Sequence, residues 1–144
     1  MKVSLILKNK GSTEVAKICP ESAVSEAVSV LSQRRIGAIV VSDASDRLVG
    51  ILSERDIVSH LGKRGDSVLH DPVSALMTKN VETCIGDDTA LDVLGRMTAG
   101  RFRHLPVMGK SGNMIGILSI GDVVKARLEE IESENAAMAD MLSG

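Results

Sequence analysis

A nine-residue stretch of this chain recurs with six of its residues unchanged. Gly50-Ile51-Leu52-Ser53-Glu54-Arg55-Asp56-Ile57-Val58 returns as Gly116-Ile117-Leu118-Ser119-Ile120-Gly121-Asp122-Val123-Val124, an offset of 66 residues. A period of that size divides the chain into two like units. A unit of roughly 50 residues struggles to bury enough surface alone, so the two are expected to pack together. Each copy reads as the end of an apolar strand (Leu48 to Leu52, Met114 to Leu118), then a serine, then a helix. Serine at such a junction caps the helix, with an acid three residues on. The acid then stands in the first helical turn, among the unpaired backbone N–H groups.

Two roles are open to Asp56 and Asp122. One is the reciprocal cap. The other is chemical, since a carboxylate at a strand-to-helix junction can accept both vicinal hydroxyls of a ribose. Ser53 or Ser119 and the helix N-terminus then face oxygen-rich groups such as phosphate. A cap needs only the serine and the acid. It does not need Gly-apolar-apolar before them and two apolar residues after them, twice over. An acid fully occupied in capping would be poorly placed for sugar.

The doubled Gly-Ile-Leu-Ser-x-x-Asp resembles the CBS domain, named for cystathionine β-synthase, as a tandem pair covering about Val15 to Leu128. The resemblance implies a ligand-binding regulatory module rather than an enzyme, with the aspartate holding the ribose of an adenine nucleotide. It places two clefts between the repeats, one on Ser53 and Asp56, the other on Ser119 and Asp122. It also implies that main chain of each repeat's first strand holds adenine, at Thr83 and Ile85 for one cleft and at Lys17 and Cys19 for the other. Asp88 and Ser22 lie nearby on the helix starts. Phosphates are implied on Arg103 and His104, where the first repeat has Gly37 and Ala38. Arg55 adds a charge where the second repeat has Gly121. AMP is the simplest ligand, and ATP, ADP or NAD(H) share its adenosine. The resemblance also implies a stand-alone protein acting on an unidentified regulated partner.

The remaining sequence supports this organisation. Val3 to Leu7 suggests a short helix or turn that recurs as Val73 to Met77, at an offset of 70, and Lys8 to Glu14 reads as a loop. Val15 to Pro20 and Val81 to Gly86 read as first strands, the proline ending one of them. Val24, Ala27, Val28 and Leu31 then mark a helix, as do Leu91, Leu94 and Met97. Ile36 to Val41 is nearly all apolar, as in a strand covered on both faces, and Phe102 to Val107 matches it. The expected fold is therefore α+β, two β-α-β-β-α repeats packed sheet to sheet with pseudo-twofold symmetry. The boundaries fall at 1–14 (lead-in), 15–61 (first repeat), 62–80 (linker and lead-in helix), 81–128 (second repeat) and 129–144 (C-terminal helix). In the last segment Leu128, Ile131, Asn135, Met138 and Leu142 alternate in steps of three and four, an a/d seam with asparagine at an a-type position. Two readings stay open for it: a tail packed on its own domain, or the contact of a homodimer.

Composition excludes several classes. Of 144 residues 44% are apolar and 25% charged, enough for a packed core. A net charge of −2 argues against holding nucleic acid by phosphate neutralisation. Phe102 is the single aromatic residue, which leaves no base-stacking platform. A bound adenine must then lie between aliphatic side chains. Cys19 and Cys84 have no metal-type spacing, and the 66-residue shift matches them to Ile85 and Ile18. Both are therefore expected as buried thiols in a reducing compartment. No metal site is expected. No run approaches membrane-spanning length and the N-terminus has no signal-peptide layout, so a cytoplasmic protein is expected. There is no Gly-x-Ser-x-Gly elbow, no His-Glu-x-x-His and no phosphate-binding P-loop, which argues against catalysis. The rival to ligand binding is a dimerisation scaffold with vestigial clefts.

Overall fold

The structure, a computed structural model, describes residues 1–11 and 14–143. Its elements in order are α1 (Val3–Lys10), β1 (Lys17–Ile18), α2 (Val24–Arg34), β2 (Ala38–Ser42), β3 (Leu48–Ser53) and α3 (Glu54–Arg64). A 3-10 turn (Gly65–His70) follows, then α4 (Val73–Leu76), β4 (Cys84–Ile85), α5 (Ala90–Gly100), β5 (His104–Met108), β6 (Met114–Ser119) and α6 (Ile120–Ser143). Each repeat is thus strand, helix, strand, strand, helix, and the α+β expectation holds. The loop expected from Lys8 is helical as far as Lys10, while Ser12 and Thr13 lie outside the described residues.

The chain folds as two compact units, 15–82 and 1–14 with 83–144. Each unit has its own three-stranded sheet. In the first, order β1-β2-β3, β1 runs parallel and β3 antiparallel to the central β2; in the second, order β4-β5-β6, β5 is central in the same way. Every residue of β2 is buried, as its unbroken apolar run requires. The core of the first unit gathers Val24, Ala27, Ile39, Val41, Leu52 and Val73. That of the second gathers Val3, Val93, Met97, Leu105, Leu118 and Val123.

Each lead-in helix bonds to the repeat that it does not immediately precede. α1 belongs with the second repeat: the Val3 and Ser4 amides donate to the carbonyls of Asp88 and Gly86 at 2.8 and 3.0 Å. α4 belongs with the first: the Val73 and Ser74 amides donate to the carbonyls of Ser22 and Pro20, again at 2.8 and 3.0 Å. Residues 62–71, the first part of the expected linker, carry the end of α3 and the 3-10 turn, with Val68 fully buried.

The first strands are two residues long, shorter than expected. β1 pairs from Lys17, but β4 pairs one position later in the repeat, from Cys84. Proline is the cause. The Val40 amide donates to the Ala16 carbonyl at 3.1 Å, and its counterpart Pro106 has no N–H to give. A proline in a central strand removes that rung outright.

Candidate functional site

Both strand-to-helix junctions close as reciprocal caps. Ser53 Oγ accepts the Asp56 amide at 3.1 Å, and Asp56 Oδ2 accepts the Ser53 amide at 3.0 Å. Ser119 and Asp122 repeat this at 3.1 and 2.9 Å. The capping role read from the sequence is therefore real for both acids. It engages Oδ2 in each case.

The two acids differ in their surroundings. Lys10 Nζ, at the end of α1, donates to Asp122 Oδ2 at 2.9 Å and to the Ile117 carbonyl at 3.0 Å. In the first unit the matching carbonyl, Ile51, accepts instead from the Thr78 amide at 2.9 Å. The reason is helix length. α4 ends at Leu76, so the chain extends and bridges Ile51 with backbone, whereas α1 continues to Lys10 and reaches the same edge with a side chain. Burial alone would push the Asp122 carboxyl up. The Ser119 amide and the Lys10 ammonium outweigh burial and hold it below the ordinary carboxylate range. Asp122 also lines a shallow open depression with Ile6, Asn9, Lys10, Lys125 and Ala126.

Thr83 and Ile85, expected to offer main chain to a base, are already engaged. The Thr83 carbonyl accepts Arg96 Nη2 at 2.7 Å, and the Ile85 amide donates to Asp88 Oδ2 at 2.9 Å. Ile85 keeps an exposed side chain, 52% accessible. In the first unit Lys17 Nζ pairs with Asp46 at 2.9 Å. Cys19 is exposed, which corrects the expectation of a buried thiol. The error lay in treating every apolar position as a core position: Ile18 turns inward and its neighbours outward, and Ile85, the match of Cys19, is exposed as well. Cys84 is buried as expected. Desolvation pushes its thiol up to about 12, with Asp88 adding to the rise and Arg96 opposing it.

The sheet brings His104 directly across from Ser119, and the Ile120 amide at the start of α6 donates to the Arg103 carbonyl at 2.8 Å. His104, Ser119 and Asp122 thus share one corner of the second unit, with an exposed Arg103 beside them. Arg55 is exposed on the first turn of α3, next to Asp56. Within a unit the first strand and the Ser-x-x-Asp junction lie on opposite edges of the sheet, separated by the central strand, hence about 10 Å apart. Sequence reasoning missed Lys10 and Arg96. The one signal for Arg96 was a break in the repeat, since its counterpart is Val30. Lys10 lies 112 residues from its partner and had none. Among the described residues no His, Cys, Asp and Glu cluster suits a metal, and no helix is long and apolar enough to cross a membrane.

A family model described as the CBS domain matches residues 11–63 and again 73–129. An uncharacterized 17.7 kDa protein of Acidianus ambivalens is 36% identical over 117 residues, covering 81% of this chain and 70% of its own length. The crystal structure of a CBS-domain containing protein from Agrobacterium tumefaciens is 41% identical, with a TM-score of 0.83 over 88% of this chain and 92% of that one. A CBS domain protein from Pyrobaculum aerophilum, complexed with AMP, is 25% identical, with a TM-score of 0.75 over 85% and 89%. The chain spans only 22% to 23% of the length of several Arabidopsis thaliana CBS domain-containing proteins.

Proposed function

This chain belongs to the CBS domain family, with two copies of the domain, and from that premise we propose that it is a regulatory module that binds an adenine nucleotide. AMP is the simplest ligand; ATP, ADP and NAD(H) share the adenosine handle. The observation that carries the reading is the doubled junction. Each unit holds a carboxylate whose cap engages Oδ2, which in Asp122 also takes the Lys10 ammonium, and the reading assigns the ribose diol to Oδ1 of Asp56 and of Asp122. The Pyrobaculum aerophilum protein complexed with AMP supports the choice of nucleotide. Ser53 and Ser119 fix the caps, Arg103 and Arg55 supply positive charge for phosphate beside the His104 imidazole, and the exposed Cys19 flanks the base. The ligand acts by differential affinity for two states of the protein, which an unidentified partner reads as energy or redox status.

Titration calorimetry with AMP tests this. Asp56→Ala combined with Asp122→Ala abolishes the heats. Each substitution also removes the carboxylate half of a capping box and leaves the serine half in place, so a thermal melt must show that the variant is still folded. Unchanged heats in a folded double variant would remove both acids from the site.

A homodimer belongs to the same proposal, and a plain dimerisation scaffold is its rival. One observation favours association in either form: Leu128, Ile131, Met138 and Leu142 of the α6 seam are all exposed, the last at 86%. These four side chains stay largely open to solvent within their own unit. Native mass spectrometry separates the two readings, because a scaffold forms a dimer with no uptake of any adenine nucleotide.

A further inference from the structure

The outer edges of β1 and β4 occupy the same place in the repeat and differ in chemistry. In the first sheet the register Lys17↔Val40 and Ile18↔Val41, with the Val40 amide donating to the Ala16 carbonyl at 3.1 Å, turns the main chain of residues 16 and 18 toward β2. The main chain of Lys17 and Cys19 then points away from the sheet, because peptide groups alternate along a strand. β1 is an edge strand of its sheet, and among the described residues no hydrogen bond engages the Lys17 carbonyl or the Cys19 amide, an acceptor and a donor two residues apart.

In the second sheet the matching pair is closed. The Thr83 carbonyl accepts Arg96 Nη2 at 2.7 Å, the Ile85 amide donates to Asp88 Oδ2 at 2.9 Å, and Arg96 Nη1 stands 3.8 Å from that same oxygen. The backbone turns after the two strands are alike: the Ser22 amide donates to the Cys19 carbonyl and the Asp88 amide to the Ile85 carbonyl, both at 3.1 Å. Side chains alone make the difference. Where the second repeat has Asp88 and Arg96, the first has Ser22 and Val30.

We infer that the two first strands are unequal as base-binding edges: β1 is open to an adenine base, and β4 is closed by its own Arg96–Asp88 clip. The inference deepens the adenine-nucleotide reading and rests on it. A carbonyl and the amide two residues on match the amine and ring nitrogen of an adenine, as they would match an added strand. The open edge is two residues long and is followed at once by Pro20, which favours a small flat base over a peptide. One chain therefore binds one equivalent of nucleotide through this edge.

Stoichiometry with AMP, from native mass spectrometry and calorimetry, tests the inference alongside backbone amide shifts. The unaltered protein takes up one AMP per chain, with a shift at the Cys19 amide and none at Ile85. Exchanging the clip for the first repeat's own residues (Asp88→Ser with Arg96→Val) raises uptake to two. The reverse graft (Ser22→Asp with Val30→Arg) abolishes it. Uptake of two by the unaltered protein, or a shift at Ile85 instead of Cys19, overturns the inference and leaves the nucleotide reading standing. Folded grafts that leave uptake at one also overturn it. No uptake by the unaltered protein overturns the nucleotide reading itself. Should a graft fail to fold, the unaltered protein's stoichiometry and shifts still decide.

Discussion

At the scale of single residues, Asp56 and Asp122 show how like sequence acquires unlike chemistry. Serine, acid and helix start coincide to within 0.1 Å in their hydrogen bonds, so the local motif dictated the local geometry. The ammonium on Asp122 came from α1, 112 residues away, and no repeat or spacing announced it. The contact has a consequence for acid stability. A carboxyl held low in the folded state contributes stability that is complete above its unfolded value, about 3.9, and is lost as pH falls through the folded value. Lys10→Met lets the Asp122 carboxyl rise, which shrinks that contribution. Urea unfolding between pH 5 and pH 2 then gives a shallower decline for Lys10→Met than for the unaltered protein. Identical slopes would show that the ammonium does not set the titration. Cys19 teaches a related lesson. The repeat register located its match correctly, but it could not tell an inward apolar position from an outward one, because strands of two residues carry no readable alternation.

At the scale of elements, the glycine that opens each motif answers to the lead-in segment rather than to the strand. A Cβ on Gly50 would lie 2.5 Å from Met77 Sδ and 3.0 Å from the Thr78 carbonyl oxygen; on Gly116 it would lie 2.8 Å from Leu7 Cδ2. Leu7 and Met77 match at the 70-residue offset, so each glycine admits the same lead-in position across the sheet edge. Gly50→Ala must move backbone, since the Thr78 amide and carbonyl both bond to Ile51, and the cost is about 1–3 kcal/mol of overpacking. Gly116→Ala meets only the end of a leucine side chain and costs less. Urea midpoints that rank the two in the opposite order would refute this account. The strands β2, β3, β5 and β6 were legible because their apolar runs are long. β4 was not, because its length depends on a hydrogen bond that Pro106 cannot make, and a proline's effect on a neighbouring strand is invisible in that strand's own residues.

At the scale of the whole molecule, the chain order and the packing order disagree. Each lead-in helix precedes one repeat and folds with the other: α1 completes the second unit and α4 the first. The offset change from 66 to 70 residues hinted that the lead-ins are a separate piece, but composition and periodicity carry no information about which core receives which helix. Burial does. Val3 is fully buried and Ile6 nearly so among Val93, Met97, Leu105 and Leu118, and all of those follow residue 83. Ile6→Ala opens a cavity in that core and costs about 2–5 kcal/mol there. Because the residue lies outside both repeats, a reading by sequence order would assign the loss to the first repeat or to none. Hydrogen exchange decides, since protection reports local opening unit by unit. Amides of α5, β5 and β6 lose protection in Ile6→Ala, and amides of β2 and β3 keep theirs. Loss centred on β2 and β3 would mean that α1 serves the repeat it precedes, and the exchange of helices would then have to be abandoned.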